Sequence, residues 1–405
     1  MVGTGEPTSP WGSFLFPHIF RSFRMAIQPS RLVTAFAAVA GICLAGWVMD
    51  LSRTVIVTDG PAVAGYGQLL PSRMTELDLY AISETRLQEL VESPPADSSR
   101  VGVFAALCRF CAIQCRSGNV FGCLRAPVWA LTYHTVYSVV FLAVVLVALS
   151  FAGGTICRMT ALEFALGRRM GLSEAWRFSI DRIASLVAAP IGPLVIALLL
   201  GLPVVAIGAL GNIPVVGELL TGLLFPLTLV AGPFIAILLI GVVAGASLMA
   251  PTIAYEDSDF FDAISRAFSN IYARPWRMGF YSLVAAVYGA ACYLFVRLFA
   301  FLVLWSTRGF LQLGLRDEKL DAIWSPPSLA GLLGAAVSPD GWSLWLAAFF
   351  IRIWVLVVVG LTVSFILSFY FSAGTIIYAL MRNRVDGTVM NEVYVAAEEA
   401  PQTSE

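Results

Sequence analysis

Charge is what this sequence has least of. Only 13% of its 405 residues are charged, about half the share usual in soluble domains. Between Ile183 and Tyr255 the one charged side chain is Glu218. Lysine is almost missing: Lys319 stands alone among 25 basic residues, so arginine supplies nearly every cation. Histidine is limited to His18 and His134, which leaves little for a histidine metal centre or a histidine-dependent nucleophile. There is no His-Glu-x-x-His, P-loop, Gly-x-Ser-x-Gly or dinucleotide fingerprint, so enzyme chemistry has no recognisable frame and no cofactor is expected. A net charge of −1 offers no basic field for nucleic acid. Seven cysteines are too few for a secreted disulfide scaffold of this length, and the absence of Cys-x-x-Cys-His excludes c-type haem attachment.

What is present is apolar sequence: 59% of the residues are hydrophobic, gathered into runs of the length that crosses a bilayer. The stretch after Ile183 is too long for one crossing and reads as two, joined by a tight turn at Gly211-Asn212-Ile213-Pro214. The expected spans are 32–49, 136–157, 183–207, 219–248, 278–305 and 345–370. The fold expected is therefore all-α: a polytopic integral membrane helical bundle of about six transmembrane helices, with amphipathic elbow helices at the interface. Pro190, Pro193, Pro203, Pro226 and Pro233 fall in or beside the central pair, where neighbouring groups can satisfy the freed carbonyls and the helices can kink.

Residues 1–31 read as a cytoplasmic interfacial segment, because 11–24 mixes aromatics with arginines. The span 32–49 reads as an uncleaved signal anchor, with an N-cap at Pro29-Ser30. Residues 50–126 read as an extracytoplasmic domain of short helices, with helical periodicity over 72–92 and again over 101–114. Residues 127–381 hold the other five spans, and 382–405 form an acidic cytoplasmic tail. The short segments on one side hold Arg21, Arg24, Arg31, Arg158, Arg168, Arg169, Arg177, Arg182, Arg266, Arg274, Arg277, Arg382 and Arg384, against Arg308, Arg316 and Lys319 on the other. The positive-inside rule then puts both termini in the cytoplasm. The similar positions of 173–178 and 261–266, each after an inward span and before an outward one, suggest two parallel span–elbow–span repeats.

At these elbows Gly153-Gly154-Thr155-Ile156-Cys157-Arg158-Met159-Thr160-Ala161-Leu162-Glu163, Pro251-Thr252-Ile253-Ala254-Tyr255-Glu256-Asp257-Ser258-Asp259 with Ala263-Ile264-Ser265-Arg266, and Arg274-Pro275-Trp276-Arg277 resemble an uncharacterised family of multi-pass bacterial membrane proteins of planctomycete type. More distantly they are similar to the membrane domains of some glycerophosphodiester phosphodiesterases and to YciC-like inner-membrane proteins. The resemblance covers about residues 10–395 apart from 51–126. It implies the fold and a bacterial inner-membrane location, and it brings no catalytic residues.

Four groups of residues are candidates for function. Cys108, Cys111, Cys115 and Cys123 have the spacing of a helical face with a return; an apolar seam, one or two disulfides and a tetrahedral thiolate metal site are all open. Arg297 and Arg352 are charges deep within spans, at similar depth, and can clamp an anion or lipid phosphate, snorkel, or pair with Asp317, Glu318 or Asp321. Arg274, Trp276 and Arg277 suit an interfacial belt in contact with headgroups. Glu256-Asp257-Ser258-Asp259 is either a hard-cation site or, more simply, a helix start capped by Asp259. Glu163 reads as a solvated helix end or a proton relay. The function expected is non-catalytic: a scaffold or accessory subunit organising lipid or a membrane complex, with membrane lipids and other membrane subunits as partners. The alternative is a transporter or channel for a small anionic or lipid-like solute.

Overall fold

A computed structural model describes residues 16–59, 73–85, 87–88, 99–116, 119–335, 337 and 339–394. A 3-10 turn, Phe16–Phe20, leads into α1 (Arg21–Ala26) and α2 (Pro29–Asp50). Three strands follow, β1 (Thr54–Asp59), β2 (Arg73–Thr75) and β3 (Ser99–Gly102), with α3 (Glu76–Ile82) after the second. Then come α4 (Val103–Arg116), α5 (Arg125–Tyr133), α6 (Thr135–Leu166), α7 (Leu172–Asp181), α8 (Ile183–Leu210), α9 (Val216–Glu256), α10 (Phe260–Ala273), α11 (Pro275–Gly314), α12 (Asp317–Ile323) and α13 (Trp342–Val385).

Six helices, α2, α6, α8, α9, α11 and α13, are long and apolar enough to cross a membrane. In none of them is more than 33% of the most apolar stretch buried within the protein. Leu198, Leu223 and Val243 stand 67%, 75% and 81% exposed. An apolar surface of this extent is foreign to a soluble monomer, whereas in hydrocarbon it is the solvated face of a helical bundle. The buried seams have the opposite composition. Gly153, Gly154, Thr155, Ser368, Ser372, Gly374 and Thr375 lie inside, because small and hydroxylated residues let helices approach where no hydrophobic force drives them together.

The chain divides into two compact units, Met1–Ala37 with Leu149–Glu405, and Ala38–Ala148. In the first, α8 and α9 form the expected hairpin. Its turn needs Gly217, since a Cβ there would meet the Leu210 carbonyl oxygen at 2.0 Å. Pro190, Pro193, Pro203, Pro226, Pro233 and Pro251 all lie inside helices that continue through them. The short helices α7 and α10 each join two spans, as the sequence predicts. On α10 the residues Ala263, Ile264, Ala267 and Ile271 are buried, a helical spacing that turns one face onto the bundle. The helix α13 is the core element, with Phe371 to Met381 buried without a break. At 44 residues it is about 66 Å long, about twice the hydrocarbon thickness, so its last turns lie in a layer packed by protein.

The segment read as interfacial packs one face on the bundle: Ile19, Met25 and Ala26 are fully or nearly fully buried, Ser368 Oγ donates to the Ala26 carbonyl at 2.8 Å, and the Tyr288 hydroxyl donates to the Phe20 carbonyl at 3.2 Å. Its aromatics are at most partly buried, Phe23 packing edge-on to Phe365 while Phe20 stays 46% exposed. In the segment read as the acidic tail, the Tyr394 N–H donates to the Tyr255 carbonyl at 2.9 Å. Residues 395–405 and 1–15 lie outside the described residues.

The second unit is more than the set of short helices expected for 50–126. It contains an antiparallel sheet in the order β2-β1-β3, with Val57 opposite Thr75 and Ile56 opposite Arg100. Alternation along β1 buries Val55 beside Leu77, Val103, Phe110 and Trp129, while Ile56 packs with Met74 and Leu79. The helical reading of 72–92 holds over α3 and again at 84–85 and 87–88, with β2 at 73–75 taking its start. That helix starts on a capping box in which Thr75 and Asp78 satisfy each other's backbone N–H. The α4 start is capped from outside: the Asp50 carboxylate accepts the N–H groups of Phe104 and Ala105 at 2.7 and 3.1 Å and the Tyr137 hydroxyl at 3.0 Å, an anion at a helix N-terminus. The approach requires Gly102, where a Cβ would lie 2.0 Å from Asp50 Cγ. His134 packs edge-on to Trp129, with Nε2 3.9 Å from Glu76. Burial, then the Arg53 charge, pushes His134 below its ordinary value, while burial pushes Glu76 up. The contact is therefore that of a neutral imidazole, not an ion pair, at neutral pH.

Candidate functional site

At the elbow end of the first unit, five helices, α2, α6, α9, α10 and α13, bring their polar residues together. Arg31 of α2 and Glu163 of α6 form an ion pair at 2.8 Å with side chains 1% and 6% exposed. Arg31 also donates to the carbonyls of Met25 and Met159 at 2.7 and 3.0 Å, and Gln28 Nε2 reaches both Glu163 oxygens at 2.7 and 2.8 Å. So Glu163 is not a solvated helix end; it neutralises a buried cation. Five residues earlier Arg158, 1% exposed, donates to the carbonyls of Ala254 and Tyr394 at 2.8 and 3.0 Å and stacks on Phe178 at 4.8 Å. A cation there meets the C-terminal carbonyls of α9, the favourable end of that helix.

The acidic run after α9 completes the layer. Glu256 accepts the Tyr378 hydroxyl at 2.6 Å and lies 2.6 Å from Arg266 and 3.4 Å from Arg382. Asp257, at a left-handed φ of 53°, pairs with Arg182 at 2.8 Å, and Asp259 lies 3.7 Å from the same arginine. Asp259 occupies the N-cap position of α10 but makes no side-chain cap bond: its carboxylate turns to the guanidinium instead. With each acid facing an arginine, the run is an interhelical lock rather than a cation site. Sequence reasoning treated Arg31 and Arg158 as markers of membrane sidedness. The available signal was Glu163, the first acidic residue after Asp97.

Beside this layer a cleft of about 740 Å³ opens between α9, α11 and α13, within the roughly 300–1,000 Å³ range of ligand sites. Its walls are mostly apolar or small, with Gly279, Ala286 and Gly289 from α11 facing Phe365 and Phe369 from α13. Its few polar groups include Ser247, Ser282 and Tyr293. One end is bounded by Ile271, Pro275 and Met278, which puts Arg274, Trp276 and Arg277 next in sequence to its rim. Those three are exposed, Trp276 at 91%, as an interfacial belt requires.

Arg297 and Arg352 have different surroundings. Arg297 lies seventeen residues before the end of α11, while Arg352 lies ten after the start of α13. The loop before α13 folds back to Arg297, whose guanidinium donates to the carbonyls of Leu329 and Ala330, both at 3.0 Å. Asp321 pairs with Arg308, not with either of them. Arg352 lines a separate open cleft of about 140 Å³ with Trp324, Trp345 and Phe349. The cysteines gather only in part. Cys108 and Cys111 are free thiols, the Cys123 thiol lies 3.8 Å from the Cys111 carbonyl oxygen, and the Cys115 side chain lies outside the described residues. Among the described residues no group of three or more His, Cys, Asp or Glu side chains is placed to hold a metal ion. Cys111 packs against the core of its unit, as an apolar seam would.

No protein-family model, curated protein or solved structure matches this chain.

Proposed function

We propose that this is a non-catalytic membrane component that organises lipid, holding an acyl chain in the cleft between α9, α11 and α13 and the anionic headgroup on Arg274 and Arg277. The carrying observation is the cleft itself: about 740 Å³, walled by apolar and small residues, with an aromatic–arginine rim. Surrounding lipid supplies the chain, and the rim arginines favour a phosphate-bearing headgroup. Membership of the bacterial family described above, a place in the cytoplasmic membrane with both termini inside, and service as a scaffold for other subunits belong to the same proposal. They are supported by the arginine distribution and by the interhelical lock.

Gly279 gives the test. It lines the cleft, and a Cβ there meets nothing within 4 Å, so the side chain of Gly279→Leu starts in open space and extends into the cleft. The variant is expected to melt like the wild type and to carry severalfold less co-purifying phospholipid by native mass spectrometry. Equal lipid retention in a folded Gly279→Leu protein overturns the proposal. Transport of a small anionic or lipid-like solute is the second reading, supported by Arg352 lining an open cleft, and flux into proteoliposomes measures it directly.

A further inference from the structure

The segment that leads into α6 is apolar on two opposite faces. A 3-10 turn, Val120–Leu124, runs directly into α5. One face of α5 carries Ala126, Trp129 and Ala130, which are buried in the core of the second unit. A helix packed in this way onto a soluble domain turns polar residues to the water. Here the far face carries Phe121, Leu124, Val128 and Leu131, all exposed, Phe121 at 85% and Leu124 at 65%. Their spacing of three, four and three residues sets them in one stripe. The hydroxyls nearby turn back on the chain: Thr132 donates to the Val128 carbonyl at 2.9 Å and Thr135 to the Leu131 carbonyl at 2.8 Å, a bond that satisfies a hydroxyl without water.

The level of the stripe follows from α6. Arg158 and Glu163 near its end belong to the polar elbow layer. About twenty residues cross the hydrocarbon, and counting them back from Arg158 sets the far boundary near Ser138. A few residues beyond, at φ −129° and ψ 49°, His134 breaks the helix, so α5 leaves the span at the interface and need not follow its axis. On the span side of the break Val136, Val139 and Val140 are exposed as well. The apolar surface that α6 offers to lipid thus continues in sequence into the stripe of α5.

We infer that residues 121–131 lie along the bilayer surface with Phe121, Leu124, Val128 and Leu131 sunk into the leaflet where α6 begins. The second unit is then seated on lipid instead of standing clear in water. The occupant of the stripe is the boundary between headgroups and acyl chains, the usual bed of an apolar helix face at an interface. This seat does not depend on lipid in the cleft between α9, α11 and α13.

Phe121 discriminates. It lies fourteen residues before Thr135, so a segment rising along the axis of α6 would lift it about 20 Å from the start of the span, whereas a segment lying flat keeps it in lipid. The photoreactive residue p-benzoylphenylalanine is placed singly at Phe121, Val128, Val139 or Thr85 of the full chain, in nanodiscs of dioleoylphosphatidylcholine. After irradiation, lipid adducts are counted by mass spectrometry. Val139 reports the lipid face of α6, and Thr85 is an exposed position on a polar stretch of the second unit. Adduct yields at Phe121 and Val128 are expected within about threefold of that at Val139 and about tenfold or more above that at Thr85. Adducts at Val139 with no more at Phe121 and Val128 than at Thr85 overturn the inference and leave the span in place. Crosslinks from Phe121 and Val128 to a second copy of the chain, in place of lipid, overturn it too, since the stripe is then a protein interface. If Val139 gains no adduct either, α6 does not face lipid and the inference falls with the span. All four positions are exposed, and the replacement at Phe121 keeps an aromatic ring, so that variant decides should another fail to fold.

Discussion

Arg31 and Glu163 belong to helices more than a hundred residues apart in sequence, yet their contact excludes nearly all solvent. Removing one member of such a pair leaves a buried charge, a loss of about 3–5 kcal/mol, whereas replacing both with apolar residues of similar size is often tolerated. Glu163→Ala should therefore lower the unfolding midpoint in detergent sharply, and Arg31→Met with Glu163→Leu should recover much of it. Equal losses in the single and double variants would show that the charge is not what matters. His134 gives a second residue-level prediction. Its folded value lies below the ordinary 6.5, so the unfolded chain takes up the proton first. Stability is full above pH 6.5 and falls as the pH drops through 6.5 towards the folded value. Glu76, raised above 4.5, acts in the other sense, its penalty being relieved as pH falls toward that value. Melting curves at pH 8 and pH 6 should separate by less in His134→Gln than in the wild type, with little difference between the two proteins at pH 8.

Among elements, the contact of α9 with α13 depends on one missing side chain. A Cβ on Gly374 would sit 2.6 Å from the Ser247 carbonyl oxygen, a backbone atom that cannot step aside. Gly374→Ala should cost about 1–3 kcal/mol through forced separation of the two helices. Denaturant titration in detergent checks this, and a neutral Gly374→Ala would mean that the helices have slack. The spans and their elbows were legible because each rests on a local pattern, a long apolar run or an amphipathic turn beside it. The sheet was not. Thr54-Val55-Ile56-Val57-Thr58 is β-branched throughout, a strand signal in itself, but its partners lie at residues 73–75 and 99–102, and apolar periodicity nearby favoured helices. The elbow-end lock was hidden for the same reason, since Arg158 and Ala254 lie 96 residues apart and meet only when their helices have packed. Arg297 was visible as a charge within a span, but its partners are carbonyls of a loop that folds back on it, which no local pattern announces.

For the whole molecule, the proposed topology of six crossings with both termini inside places residue 212 on the side opposite residue 389. In a variant stripped of native cysteines, Asn212→Cys should react with an impermeant maleimide in intact cells. Val389→Cys should react only after lysis. The reverse pattern inverts the orientation, and labelling of both in intact cells removes an odd number of crossings.

The packing of α1 against α13, through Ser368 and the Ala26 carbonyl and through Phe23 and Phe365, has a consequence for biogenesis. The ribosome makes α1 first and α13 after every other span. Until α13 enters the bilayer, Phe23 has only its contact with Phe295 of α11, and the Ala26 carbonyl lacks its Ser368 partner. Contacts this remote in sequence form late and slowly. For most of its synthesis the nascent chain lacks the helix that carries the largest share of its buried core. A chaperone or insertase that shelters the amino-terminal aromatics would act during that interval, and a chain stalled before α13 would be the form the cell has to clear.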